Sequence, residues 1–112
     1  MVALLVPDSI SIQSHRGTYE ARFTPELLKD PSALLEGEPH FIIDSNIASL
    51  YSKQLESILR HPNVILVDAT EQNKSLESAS HIITELVAQK TRRNHHLVAI
   101  GGGIIQDLVC FI

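Results

Sequence analysis

Three short apolar runs constrain this chain more than anything else in it: "HFIID" at 40–44, "NVILVD" at 63–68 and "HLVAI" at 96–100. Each is too short for a stable helix. None alternates apolar with polar residues, as a strand wetted on one face would. Such runs read as strands buried on both faces. The segments between them have a different rhythm. In "NIASLYSKQLESILR", Ile47, Leu50, Tyr51, Leu55, Ile58 and Leu59 fall on one helical stripe, with Ser45 or Asn46 placed to cap it and Pro62 to stop it. In "SLESASHIITELVAQKTRRN", Leu76, Ala79, Ile82, Ile83, Leu86 and Val87 form a second stripe. Lys90, Arg92 and Arg93 suit the negative end of that helix, and Asn94 suits a left-handed stop. Residues 39–112 therefore read strand, helix, strand, helix, strand, glycine turn, helix start. That order predicts an α/β fold, a Rossmann-like parallel sheet with helices on both faces and right-handed crossovers.

Residues 1–38 behave differently. "DSISIQSHRGTYEARFTP" alternates, with Ile10 and Ile12 two apart, and Tyr19, Ala21 and Phe23 likewise. This predicts a β-hairpin turning at Arg16-Gly17 and lying at one edge of the sheet. "PELLKDPSALLEGE", broken by Pro31, predicts a short helix and a connection into the βαβαβ unit of 39–112. At 112 residues the whole chain is one domain. Apolar residues make up 44% and charged residues 20%, a soluble, globular balance. "MVALLVPDS" has no basic residue before its apolar run, unlike a secretion signal. The net charge of -4, without a basic face, argues against nucleic acid. A single cysteine, Cys110, points to the cytoplasm.

Beyond the third run the sequence reads "GGGIIQDLVCFI". A glycine turn between a strand and a helix is a natural anion site. The first N–H groups of the helix lack internal partners, the helix dipole adds positive character, and glycine lets a phosphate reach the backbone. The plain alternative is a tight turn with close helix–strand packing. One glycine would satisfy it, whereas Gly101, Gly102 and Gly103 in succession favour a phosphate. Ligands of open α/β sheets bind beyond the carboxyl ends of the strands. Three loops belong at that edge. The first carries Asp44, Ser45 and Asn46, the second Glu71 and Lys74, and the third the glycines, with Asp107 a turn into the helix.

Each side chain also has an ordinary reading. Asp44 and Asn46 can serve only as caps, and Glu71 can simply face water. Lys74 opposes a helix dipole, which an anionic ligand nearby would explain. Asp107 is electrostatically comfortable early in a helix, and could also accept a hydrogen bond from a ligand hydroxyl. His15, His40, His61, His81, His95 and His96 form no ligand-spaced pattern, so no metal site is expected within the chain. Cys110 is expected in the core.

Taken together, the motifs resemble those of dehydroquinate synthases and their sugar-phosphate cyclase relatives. "AIGGGIIQDLVCFI" resembles that family's GGGV-x-GDL-x-GF, "EQNKSL" its GE-x-x-KS, and "IIDSNIASLY" its D-x-N-V-x-x-LY, in the same order and spacing. The resemblance covers 39–112 and implies a cofactor, NAD. It implies that Asp44 and Asn46 contact the adenosine part, that Glu71 and Lys74 line the nucleotide site, and that Gly101, Gly102 and Gly103 hold the pyrophosphate. Asp107 would lie on the nicotinamide and substrate side, as cofactor contact and candidate catalytic residue.

The sequence also departs from the family. Gln106 and Cys110 stand where glycines are usual, and Thr70 precedes Glu71 where glycine is common. These differences leave the substrate open between the shikimate pathway of aromatic amino acid biosynthesis and other sugar-phosphate cyclases. Iron-dependent alcohol dehydrogenases and glycerol-phosphate dehydrogenases are the alternative, but they usually carry serine where this chain has Ile104. Family enzymes add a helical domain with a glutamate and two histidines for zinc or cobalt, and lysines for the substrate phosphate. The resemblance therefore implies that this chain is the nucleotide-binding fragment of a lyase, a homodimer when full length. That lyase would oxidise a sugar phosphate, eliminate phosphate, reduce the ketone and close a ring, and the fragment alone would be inactive.

Overall fold

The computed structural model describes residues 9–112; the segment compared above with a secretion signal, but for its last residue Ser9, lies outside them. Strands β1 (Ser9–Ser14) and β2 (Gly17–Arg22) form an antiparallel hairpin. Two 3-10 turns follow, at Pro25–Leu28 and Pro31–Leu35, in place of the single short helix expected. Next come β3 (Pro39–Asp44), α1 (Ser45–Leu50), α2 (Glu56–Leu59), β4 (Val64–Val67), α3 (Leu76–Ala88), β5 (His96–Ile100) and α4 (Gly103–Phe111). The last three strands form one parallel sheet in the order β4-β3-β5. The α/β class and parallel sheet are as predicted. The hairpin turns at His15-Arg16, one residue earlier than expected, and is a sheet of its own that pairs with no strand of the parallel one.

The core follows from the alternation of β3. Phe41 and Ile43 face one side, against Ala48 of α1, Leu55 just before α2 and Ile58 of α2. Ile42 faces the other, with Ile65, Val67, Ala79, Ile82 and Leu86, and with Ile105 and Leu108 from α4. Helices thus cover both faces. Each fully buried side chain of β3 contributes about 1.5–3 kcal/mol by leaving water. Only this central strand is covered along nearly its whole length. Leu66 of β4 and Leu97 of β5, on the outer strands, remain exposed; among the described residues each of these strands has a β neighbour on one side only.

Three local expectations are corrected. The helix foreseen over 46–60 is interrupted between Leu50 and Glu56, which leaves Leu50 at 75% exposure; nothing in the structure explains the break. Asp44, rather than Ser45 or Asn46, caps α1, its Oδ1 accepting the Asn46 N–H at 3.0 Å. The left-handed residue after α3 is Lys90 (φ 58), and not Asn94. Thr91 N–H reaches Leu86 C=O at 3.1 Å and Lys90 N–H reaches Val87 C=O at 3.0 Å, a Schellman closure. Lys90, Arg92 and Arg93 therefore lie past the helix and not in its last turn.

The start of the sheet is closed by polar bonds. His40, 1% exposed, is linked through Nδ1 to the Gln89 Oε1 at 2.8 Å and through Nε2 to the His95 Nδ1 at 2.9 Å. The Arg92 N–H donates to the same His95 nitrogen at 3.2 Å, and the Thr91 hydroxyl donates to the Leu86 C=O at 2.7 Å. This network joins β3, the end of α3 and the turn into β5.

Candidate functional site

Strand register sets the site. Asp44 is level with Val67, and Ile43 with Ile100, so the three carboxyl-end loops leave the sheet at one height. The helices then diverge. The chain leaves β3 into α1, on the Phe41 side, and leaves β5 into α4, on the Ile42 side. Neighbouring strands whose helices leave to opposite faces open a crevice between their ends, where ligands of such sheets bind. Here that crevice lies between the Asp44 loop and the glycine turn.

The three glycines have different surroundings. A Cβ on Gly101 would lie 2.8 Å from Ile105 Cγ1 and 3.1 Å from Asp44 Cβ, at φ +158. Gly101 is therefore fixed by the protein's own packing, and it places the first and third loops in contact. Gly102 and Gly103 differ: a Cβ at either would meet nothing within 4 Å, and neither has a positive φ. Gly103 opens α4, whose first turn is capped by no side chain. The Gln106 N–H bonds to the Gly102 C=O at 3.1 Å, so the preceding N–H groups lie ahead of the helical ladder. The packing around Gly101 fits the plain turn, whereas the space at Gly102 and Gly103 is a cradle that side chains would fill.

The second loop joins the third through an ion pair. Lys74 Nζ lies 2.7 Å from Asp107 Oδ2. The hydrogen bond to Asp107, then its charge, raises the Lys74 pKa above the usual lysine value, with a smaller contribution from Glu71. The anion beside Lys74 is thus Asp107 itself. The loop is held by its own bonds: Thr70 Oγ1 accepts the Asn73 N–H, Asn73 Nδ2 donates to the Asp68 C=O at 2.8 Å, and Ser75 Oγ accepts the Ser78 N–H as cap of α3. Glu71 and Asn46 are exposed, and neither side chain makes a hydrogen bond among the described residues.

A pocket of about 250 Å³ lies beside the ion pair, lined by Lys74, Ser75, Leu76, Ala79, Leu108 and Phe111. Ligand pockets usually span ~300–1,000 Å³. This one has room for a ring and not for a dinucleotide. Its apolar members were missed as site residues because Leu76 and Ala79 fit the helical stripe of α3; yet Leu76 is 69% exposed, directly after the loop. Cys110 is exposed and does not enter the core, because the buried stripe of α4 runs through Ile105 and Leu108. Among the described residues no group of three or more histidine, cysteine or acidic side chains could hold a metal, and no helix is long and apolar enough to cross a membrane.

The pattern of the family described as "3-dehydroquinate synthase N-terminal" matches residues 64–112, the stretch holding Glu71, Lys74, the glycines and Asp107. The family resemblance is therefore to the 3-dehydroquinate synthases. Proteins named 3-dehydroquinate synthase agree. One from Xylella fastidiosa is 39% identical over 103 residues, covering 83% of this chain and 26% of the relative. One from Dichelobacter nodosus is 35% identical over 101 residues, covering 84% and 27%. One from Streptococcus pyogenes is 29% identical over 113 residues, covering 96% and 32%. The chain thus spans about a quarter to a third of the length of these 3-dehydroquinate synthases.

Proposed function

We propose that this chain is the NAD-binding part of a 3-dehydroquinate synthase, a carbon–oxygen lyase acting on a sugar phosphate. One observation carries the reading. Gly102 and Gly103 open onto free space at the start of α4, where the protein itself has no use for missing side chains. A pyrophosphate fits that cradle, since backbone N–H groups and the helix dipole face it.

The remaining residues fall into place around it. Asp44, held by its cap bond and close to Gly101, faces the crevice where the adenosine ribose would lie, with the exposed Asn46 amide beside it. Glu71 and Lys74 border the nucleotide from the second loop. Because Lys74 is held by Asp107, the pair presents a hydrogen-bonding rim and not a bare cation. The adjoining pocket would take the nicotinamide end, with Asp107 at its mouth. Bound NAD would supply a hydride acceptor; the chain's own task is to hold it and fix its orientation. The divalent metal and the groups for the substrate phosphate would come from polypeptide outside these 112 residues. We place the full protein in the shikimate pathway and the cytoplasm.

The test is an NAD titration followed through backbone amide shifts. Movement at Gly101–Gly103, Asn46 and Lys74 is expected, together with no phosphate release from a sugar phosphate by this chain alone. Shifts confined to other surfaces would contradict the assignment, as would turnover by the 112-residue chain.

A further inference from the structure

The closure at the start of the sheet poses a question of protons, independent of what the far end binds. His40 is 1% exposed, and both its ring nitrogens have partners within hydrogen-bonding distance. The neighbours decide which groups donate. The Arg92 N–H can only donate, so the His95 Nδ1 that it meets at 3.2 Å carries no proton. The His40 Nε2, 2.9 Å from that same nitrogen, must then carry one. On the other side of the ring, the Thr91 hydroxyl gives its proton to the Leu86 C=O, so at 3.3 Å from Nδ1 it offers only lone pairs. The Gln89 Oε1, at 2.8 Å, offers the same. Both ring nitrogens therefore face acceptors, the surroundings of an imidazolium. A neutral ring would need a donor at Nδ1, and a half-turn of the Gln89 amide supplies one by exchanging Oε1 for Nε2.

We propose that His40 and Gln89 form a proton switch buried at the start of the sheet, with two settings. When the ring is cationic, Nδ1–H donates to Gln89 Oε1. When it is neutral, the amide turns and donates to the bare Nδ1. Nε2–H stays on His95 in both, so the closure survives either state. Two features let the fold hold the cationic setting. A buried charge is tolerable only when its protons are bonded, as both are here. Gln89 also ends α3, whose carboxyl terminus suits positive charge. The Arg92 N–H keeps the second proton off His95 Nδ1, where donors would face each other. The charged and titratable groups on the surrounding elements are Glu85 of α3, Lys90, Arg92 and Arg93 after it, His96 of β5 and Glu38 before β3. None of these side chains bonds to the ring. His61, ahead of β4, meets Phe41 edge-on at the other face, and Asp107 of α4 is paired with Lys74 at the far end. His40 thus depends on Gln89 to accept its second proton.

Nitrogen NMR spectra of the histidine rings test this across a pH series, on wild type, Gln89→Glu and Gln89→Leu, with backbone spectra showing that each protein is folded. In wild type, His40 Nδ1 should pass from bare to protonated as pH falls. Nε2 should stay protonated throughout, and the Gln89 side-chain amide should shift in step with Nδ1. A carboxylate in place of the amide can only accept, so Gln89→Glu should keep the Nδ1 proton at a pH where wild type has lost it. Gln89→Leu offers no acceptor and should lose that proton at a lower pH than wild type. Should Gln89→Leu fail to fold, wild type and Gln89→Glu decide the matter. A His40 ring that exchanges its proton at Nε2, an Nδ1 that never changes state, or a Gln89 amide that does not follow it would each overturn the proposal. So would a Gln89→Glu transition that coincides with wild type, or a wild type that unfolds before Nδ1 takes its proton.

Discussion

The two ends of the parallel sheet are built on opposite principles. At the start of the strands, a buried histidine, a glutamine, a threonine and a second histidine bind one another, and no buried side-chain polar atom among the described residues lacks a partner. At the carboxyl end, Gly102 and Gly103 adjoin empty space, and Asn46 and Glu71 present unused polar groups to solvent. The first arrangement locks β3 to β5 and the end of α3. The second leaves backbone and side-chain polar groups open to solvent. Polar groups satisfied internally serve stability, whereas those left open at a strand–helix junction are where binding is to be sought.

Substitutions should separate the two ends. His40→Ala removes a buried ring and strands its partners, so it should cost about 2–4 kcal/mol in chemical denaturation. NAD affinity of the folded fraction should stay unchanged; a loss of affinity would blur the division between the ends. Gly101→Ala forces a methyl against Ile105 and Asp44 and should cost about 1–3 kcal/mol, as overpacking does. Lys90→Gly should raise stability by about 1 kcal/mol, since glycine takes the left-handed position without strain. The smallest effect belongs to Lys74→Met, because an ion pair this exposed to solvent adds little to stability. The pH dependence has a definite sign. The pair's contribution is complete below the ordinary lysine value of 10.5 and is lost as pH rises through the raised pKa of Lys74. A difference between wild type and Lys74→Met that grew towards acid in the neutral range would contradict this.

Much of this was legible in the sequence. The apolar runs predict β3, β4 and β5, because a buried parallel strand has no reason to alternate. The same logic places the three loops at one edge, and the Asp44–Gly101 contact and the Lys74–Asp107 bridge bring them together. Helix ends were harder to read. Asn94 has the better left-handed propensity, but Lys90 takes the position because Leu86 must be buried one turn earlier and Thr91 closes the cap. The partner of Lys74 was not visible either, since Asp107 lies 33 positions away and only the fold joins them. His40 gave no signal at all: its partners come from segments that no short spacing rule connects.

The most direct measurement is the NAD affinity of Gly102→Ala by calorimetry, on protein whose unfolding free energy is measured in parallel. A methyl group there meets no protein atom, so stability should stay within ~0.5 kcal/mol of wild type. The same methyl lies where the pyrophosphate should approach the backbone, so affinity should fall by about ten-fold or more. Wild-type affinity in a stable Gly102→Ala protein would contradict the assignment of this turn as the phosphate cradle.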